Sequence, residues 1–151
     1  KVTVKYYKGW MNCASHALDI IQYLLNKELD LNNVVESNRF IDFHPSDPSI
    51  SVEIKESFNI SCKAKESSSA LFELEFFFEN FRIRMINGGQ IIQLYKENSL
   101  VWEKKNQLKD YMVDVFNEAL KMKNHKGKVD NFIESLELNR KMLLIIESDI
   151  K

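Results

Sequence analysis

The spacing of apolar residues divides the chain into a strand-rich middle with helices towards both ends. From Ala14 to Lys27 the apolar positions recur at helical spacing. Asn87-Gly88-Gly89 supplies the positive-φ residues of a tight hairpin turn. Alternation with a period of two, which is typical of half-buried strands, occurs in residues 2–7, 50–54, 58–64, 71–80 and 81–86, and another strand is predicted over 90–95.

Helical spacing returns beyond Trp102, over residues 108–120, and a last helix is predicted from about Ser135. The run 44–49 (HPSDPS) holds both prolines of the chain and predicts a loop. Central strands with helices at the ends favour an α+β domain, in which helices cover one face of a largely antiparallel or mixed open sheet. We expect residues 1–151 to form one domain, because no internal repeat or low-complexity tract interrupts them.

Composition narrows the possible partners. With 151 residues, 44% of them hydrophobic, the chain can form one core without disulfides. The net charge is −1 and no segment concentrates basic residues, so nucleic acid and membrane are not expected partners. No apolar run approaches the roughly 20 residues of a membrane span, and we expect a cytoplasmic protein. Cys13 and Cys62 lack metal-site spacing, so no metal is expected and both thiols are interpreted as reduced.

One segment has the polar residues that chemistry requires, and it lies at a strand-to-helix junction, from Gly9 to Asp19. Asn12 or Ser15 could cap the helix, which would place His16 in or beside the first turn. Asn12 and Asp19 are then within one helical turn of His16, as suits a base with an orienting partner. The alternative is that His16 is a capping or packing residue.

The segment "GWMNCASHALDIIQYLLNK" (9–27) resembles the sequence that opens the second domain of the Gfo/Idh/MocA oxidoreductases. It has a glycine-containing approach, a polar residue four positions before a histidine, H-x-x-D and then an apolar helix; Lys27 replaces the usual terminal glycine. Two later runs, "YMVDVFNEALKMKN" (111–124) and "SLELNRKMLLIIESDIK" (135–151), resemble the family's last helices. The resemblance covers nearly the whole chain.

The resemblance implies the C-terminal, substrate-binding domain of the glucose-fructose oxidoreductase type. It implies part of an NAD(P)-dependent oxidoreductase that acts on a sugar or sugar derivative, with surface-polysaccharide or unusual-sugar biosynthesis as the expected setting. His16 matches the histidine that contacts the sugar and moves the proton. Asn12, at a position that is often aspartate in the family, can orient a hydroxyl but cannot act as a base. The catalytic candidates are therefore His16 and Asn12.

Four further residues are candidates for substrate binding, and each has a structural alternative. Tyr7, Lys8 and Trp10 could line a sugar site, or could be a strand-end tyrosine, a solvated lysine and a core tryptophan. Asp19 completes H-x-x-D, but it could instead stabilise the first helical turn.

The cofactor, NAD or NADP, is expected to bind mainly to a domain that this chain does not contain. The four glycines of this chain do not have the G-x-G-x-x-G spacing of the turn that binds a pyrophosphate. They are Gly9, Gly88, Gly89 and Gly127. The family's lysine-proline element is also absent. We therefore expect an N-terminal Rossmann domain outside this chain, and we expect the chain alone to be inactive.

The resemblance also implies a homodimer or homotetramer, because subunits of that family pair through the exposed sheet face. Phe77, among glutamates, could anchor such an interface, whereas Arg82 and Arg84 are predicted to form cross-strand ion pairs. Two other functions remain open. One is a non-catalytic oligomerisation or binding module of the same fold, and the other is a small standalone α+β protein such as an adaptor.

Overall fold

The computed structural model describes residues 1–55, 59–65, 71–105 and 129–147, without the side chains of 42, 43 and 129–132. Within these ranges a mixed eight-stranded sheet packs against helices. The strands are β1 (Val2–Tyr6), β2 (Val34–His44), β3 (Asp47–Lys55), β4 (Asn59–Ala64), β5 (Phe72–Phe77), β6 (Phe81–Ile86), β7 (Ile91–Lys96) and β8 (Ser99–Lys105). The helical segments are a π-helical turn (Trp10–Ala14), α1 (Ser15–Leu25), a 3-10 turn (Leu31–Asn33) and α2 (Val129–Glu147).

The sheet is open, and its strand order is β2-β3-β4-β1-β5-β6-β7-β8. Strand β1 lies between two antiparallel meanders; it pairs parallel with β4 and antiparallel with β5. The other neighbours pair antiparallel. The predicted α+β class with a largely antiparallel or mixed open sheet is therefore confirmed.

Alternation along the strands places apolar side chains on the face that the helices cover. In β1 the buried positions are Val2, Val4 and Tyr6, and the residues between them are half-buried. Helix α1 buries one apolar stripe against this face. The core also includes Ile50, Val52, Ile54, Ile60, Cys62, Leu74, Phe76, Leu138, Met142 and Ile146.

The hydroxyl of Tyr6 is a buried polar group that bonds to the backbone of Ile50. It donates to the carbonyl of Ile50 over 2.6 Å and accepts from the amide of Ile50 over 2.8 Å. Both backbone groups of Ile50 are thus satisfied in the core, where an unpaired one would be costly. The pair fixes the end of β1 against β3, next to the junction that holds the candidate site.

The opposite sheet face is polar and carries the predicted ion pairs. Arg82 lies 3.3 Å from Glu75, Arg84 lies 3.5 Å from Glu73, and Lys5 approaches Glu73 at 3.7 Å. The prediction that the two arginines form cross-strand ion pairs is confirmed. All these side chains are partly exposed, so each pair contributes little to stability.

Trp10 and Arg39 are among the residues that dock α2 onto the rest of the described chain. The indole of Trp10 donates from Nε1 to the carbonyl of Met142 over 3.2 Å. The guanidinium of Arg39 donates to the carbonyls of Ile145 and Ile146 while it pairs with Glu36. A cation at the last carbonyls of a helix satisfies orphan acceptors and complements the helix dipole.

Several element boundaries differ from those predicted. The run 44–49 is not a loop, because only Pro45 and Ser46 form the turn and β3 begins at Asp47. Pro48 is tolerated in β3 because it lies at an irregularity in the pairing with β2. At that position the strand needs no backbone N–H to donate a hydrogen bond, and proline has none.

At the other end of the sheet, β8 occupies residues that the sequence did not assign to a strand. Glu97 and Asn98, both at positive φ, form the hairpin turn that leads into it. Helix α2 begins at Val129, earlier than predicted. The helix predicted over 108–120 lies outside the described residues.

Burial of Cys62 predicts a pH dependence of stability. Desolvation raises the pKa of this thiol far above its ordinary value, and Glu53 adds to the effect. Below about pH 8.5, the pKa of the thiol in the unfolded chain, Cys62 is neutral in both states and its burial contributes fully to stability. Above that pH the thiol ionises in the unfolded chain only, so the free energy of unfolding falls. Urea unfolding should show a loss of about 1.4 kcal/mol per pH unit above that point in the native chain, and this loss should be absent in Cys62→Ala.

The control for this measurement is Cys13→Ala, which keeps Cys62 and should keep the alkaline loss. Equal slopes in the native chain and Cys62→Ala would show that the thiol does not cause the loss.

Candidate active site

The candidate site lies where β1 leads into the helical segment. Lys8 and Gly9 have φ values of 76° and 84°, which reverse the chain after β1. A Cβ on Gly9 would lie 2.2 Å from Oδ2 of Asp47. Both the backbone conformation and this close approach require glycine here.

Side chains from β3 hold the start of the helical segment. The carboxylate of Asp47 accepts from the amides of Met11 over 2.7 Å and Asn12 over 3.0 Å. The hydroxyl of Ser49 accepts from the amide of Gly9 over 2.9 Å. Three of the amides that a helix start leaves without partners are thereby satisfied.

The predicted capping by Asn12 or Ser15 is therefore wrong. No side chain caps the segment from its own N-cap position, and the hydroxyl of Ser15 donates back to the carbonyl of Met11. The physical reason is that the helical path begins at Trp10, before both residues, and a strand distant in sequence supplies the acceptor.

Asn12 and His16 lie one helical turn apart at the surface, and both side chains are exposed. His16 is in the first turn of α1. Nδ2 of Asn12 donates to the carbonyl of Lys8 over 3.0 Å. This bond leaves the amide oxygen of Asn12 to accept a hydrogen bond from a hydroxyl, whereas the imidazole of His16 is a group that can take up or release a proton.

Tyr7 and Lys8 adjoin this pair. The ammonium of Lys8 lies 6.0 Å from the centre of the Tyr7 ring, and Tyr7 is half-buried. The backbone carbonyl of Lys8 is also the acceptor for Nδ2 of Asn12, so Lys8 contacts both Tyr7 and Asn12.

The other two candidates make different contacts. Trp10 is fully buried, so it is a core residue, which was the structural alternative for it. Asp19 is exposed and accepts from the hydroxyl of Ser135 on α2 over 2.6 Å. It lines a groove of about 360 Å³ between α1 and α2, together with Tyr23.

The start of the helical segment does not offer free amides to a nucleotide pyrophosphate. The amides at the start of the helical segment, which could bind an anion, are already occupied by Asp47. Gly88 and Gly89 lie in the β6–β7 hairpin turn. Among the described side chains, no group of three or more His, Cys, Asp or Glu could hold a metal ion. No helix in the described ranges is long and apolar enough to cross a membrane.

No protein-family model matches the chain, and no curated protein matches it significantly. Solved structures do match the chain in fold. One is a protein assigned as an oxidoreductase from Magnetospirillum magnetotacticum, with a TM-score of 0.62 and 10% identity, matched over 97% of this chain and 53% of that one. Another is a mutant 3-ketoreductase from Actinomadura kijaniata in complex with TDP-benzene and NADP, with a TM-score of 0.54 and 7% identity, matched over 97% of this chain and 50% of that one.

This chain has the fold of one half of each of those proteins. It spans about half the length of either solved chain. At such low identities the likeness shows the fold and assigns no residue. Support for a site at the junction therefore comes from its local contacts.

Sequence reasoning missed Asp47 and Ser49 as part of this site. They lie about 35 to 40 residues after the amides that they bind. The only local signal was the D-P-S run itself, which favoured a loop. The hairpin β2–β3 and the pairing of β3 with the rest of the sheet bring these side chains to the end of β1.

Proposed function

We propose that this chain is the substrate-binding domain of an NAD(P)-dependent oxidoreductase that acts on a sugar or sugar derivative. His16 is the acid/base that exchanges a proton with a substrate oxygen, and Asn12 orients the reacting hydroxyl. Tyr7 and Lys8 contribute to the same surface. Surface-polysaccharide or unusual-sugar synthesis is the proposed setting, in the cytoplasm.

The exposed Asn12–His16 pair carries this proposal. Both side chains lie at the end of the central strand, where a helix begins, and the hydrogen bond to Lys8 holds the amide of Asn12. A purely structural histidine would be expected to pack or to bond with backbone. The fold supports the proposal because one protein that shares it is a ketoreductase in complex with NADP.

The assignment of roles follows from the chemistry of the two side chains. An imidazole has a neutral and a protonated form, so it can take the proton of a hydroxyl while the hydride passes to the nicotinamide and a carbonyl forms, or return the proton in reduction. A carboxamide does not titrate, and it can only fix the direction of the hydroxyl. Trp10 is left out of the site because its side chain is enclosed in the core.

Because Asp47 occupies the amides at the start of the helical segment, we propose that a separate Rossmann domain binds the nicotinamide cofactor. We also propose that two or four copies associate through the polar sheet face. Phe77, 38% exposed on that face, is the proposed apolar anchor.

The test is turnover by the complete native protein. Sugar nucleotides and free sugars are supplied with NAD or NADP, and the change in nicotinamide absorbance is followed. We expect turnover with at least one sugar of this class. We expect the 151-residue chain alone to neither bind NADP tightly nor turn over. Activity of the isolated chain would overturn the two-domain proposal, and a complete protein inert towards all sugars would overturn the function.

A non-catalytic oligomerisation or binding module of the same fold is the second candidate. The exposed aromatic rings of Phe77, Phe78 and Phe81 favour it, because apolar rings on a surface are typical of protein interfaces. Phe78 and Phe81 stack with their centres 4.3 Å apart. Phe77→Ser should weaken association under either candidate, so sedimentation is combined with turnover by the complete protein. An enzyme subunit turns over a sugar substrate, whereas an assembly module shows no turnover in the native or the variant form.

A further inference from the structure

We propose that Asp47 is a positioning residue for the Asn12–His16 pair, a role that rests on the proposed function. Its carboxylate binds the first turn of the helical segment and thereby fixes the direction in which both side chains leave the surface. Asp47 does not touch the substrate in this proposal. It acts through the backbone of residues 9–12.

Two bonds from one carboxylate define the position of the turn. Oδ1 accepts from the amide of Met11 over 2.7 Å, and Oδ2 accepts from the amide of Asn12 over 3.0 Å. Bonds from backbone amides to an ionised acceptor are stronger than bonds between neutral groups. The second bond acts on the backbone of Asn12 itself, so the carboxylate and the candidate orienting residue are in direct contact.

The strand that holds Asp47 is itself rigidly anchored. Ser49, two residues later, is fully buried and accepts from the amide of Gly9 over 2.9 Å. Ile50 is tied to the hydroxyl of Tyr6 through both of its backbone groups. The start of β3 is therefore fixed to the end of β1 on both sides of the chain reversal.

Gly9 shows how closely this arrangement is packed. A Cβ at this position would lie 2.2 Å from Oδ2 and 2.6 Å from Cγ of Asp47. Glycine, which has no side chain, therefore occupies the position that lies against the carboxylate. The contact allows the carboxylate to reach two successive amides, which a larger residue at position 9 would prevent.

Positioning matters here because the helical segment begins with a wide π-helical turn. Five residues, Trp10–Ala14, form this turn before the α-helical geometry starts. The side chain of Asn12 lies within it, and His16 follows in the first α-helical turn. A shift of the first turn therefore changes the spacing between the two side chains.

The test compares Asp47→Asn with a matched variant, Asp30→Asn. Asp30 also accepts from a backbone amide, that of Asn32, but it caps the 3-10 turn, which carries no candidate residue. In Asp47→Asn we expect amide hydrogen exchange at Met11 and Asn12 to accelerate about tenfold, with β3 amides unchanged. In the complete protein, kcat should fall roughly tenfold to a hundredfold with KM changed less. Asp47→Glu should recover part of kcat.

Each outcome has a defined meaning. Asp30→Asn should leave exchange at Met11 and kcat unaltered. If Asp47→Asn keeps the native kcat while His16→Ala is inactive, the positioning role is overturned and the proposed function stands. If His16→Ala also turns over at the native rate, the proposed function has failed and the positioning role with it. An equal loss of kcat in Asp30→Asn would show that the effect of Asp47→Asn is a general loss of stability, and would overturn the proposal.

Discussion

Replacing His16 by alanine is expected to lower kcat of the complete protein by roughly two to four orders of magnitude. A positioned acid/base contributes about this much to a proton transfer. His16 is exposed in the first turn of α1, so its removal leaves no cavity in the core. The measurement is steady-state kinetics across pH, together with thermal unfolding, which should not change.

The matched control is Leu24→Ala, a truncation at another exposed position of α1. It should leave kcat near the native value. His16→Gln separates proton transfer from hydrogen bonding, because glutamine can bond to the substrate but does not titrate. If Gln restores native turnover, His16 acts in binding alone and the acid/base role is excluded.

Replacing Trp10 by alanine should give the largest loss of stability, about 3 to 5 kcal/mol. The indole is 0% exposed, it contacts Tyr6 with ring centres 6.3 Å apart, and it donates to the carbonyl of Met142. Its removal leaves a cavity between the π-helical turn and α2 and also deletes the hydrogen bond. Urea unfolding of the isolated chain measures the change.

The matched control is Trp102→Ala on the edge strand β8, where the same side chain is 49% exposed. A loss below about 1 kcal/mol is expected there. Trp10→Phe retains most of the burial and isolates the hydrogen bond, at a cost of about 1 kcal/mol from the lost bond. Equal losses at positions 10 and 102 would contradict the assignment of Trp10 to the core.

The sequence predicted the fold class well because the period of two is unambiguous in the central strands. Val52 and Ile54 are buried, and Glu53 between them is not. The sequence did not predict a strand whose conformation depends on hydrogen bonds to its neighbour in the sheet. The residues of β8 are all exposed, so no burial pattern marked them, and their strand conformation depends on hydrogen bonds to β7.

The candidate site was only partly predictable, for a related reason. The polar residues at the end of β1 could be recognised from spacing, and the structure does place Asn12 and His16 at the surface. The contacts that fix them come from Asp47 and Ser49 on β3, which only the tertiary arrangement brings near. Likewise, the orientation of Trp10 into the core depends on α2, which lies over a hundred residues away.

The central place of β1 has a consequence for the order of folding. Strands β2 to β4 and β5 to β8 are each consecutive in the sheet, so both meanders are built from local contacts that close quickly. Val2, by contrast, pairs with Ile60 on one side and Phe76 on the other, both of which are distant in sequence. Insertion of the first strand between two preformed meanders is therefore expected to limit the folding rate. The junction that carries Asn12 and His16 then acquires its final geometry only in the last step of folding.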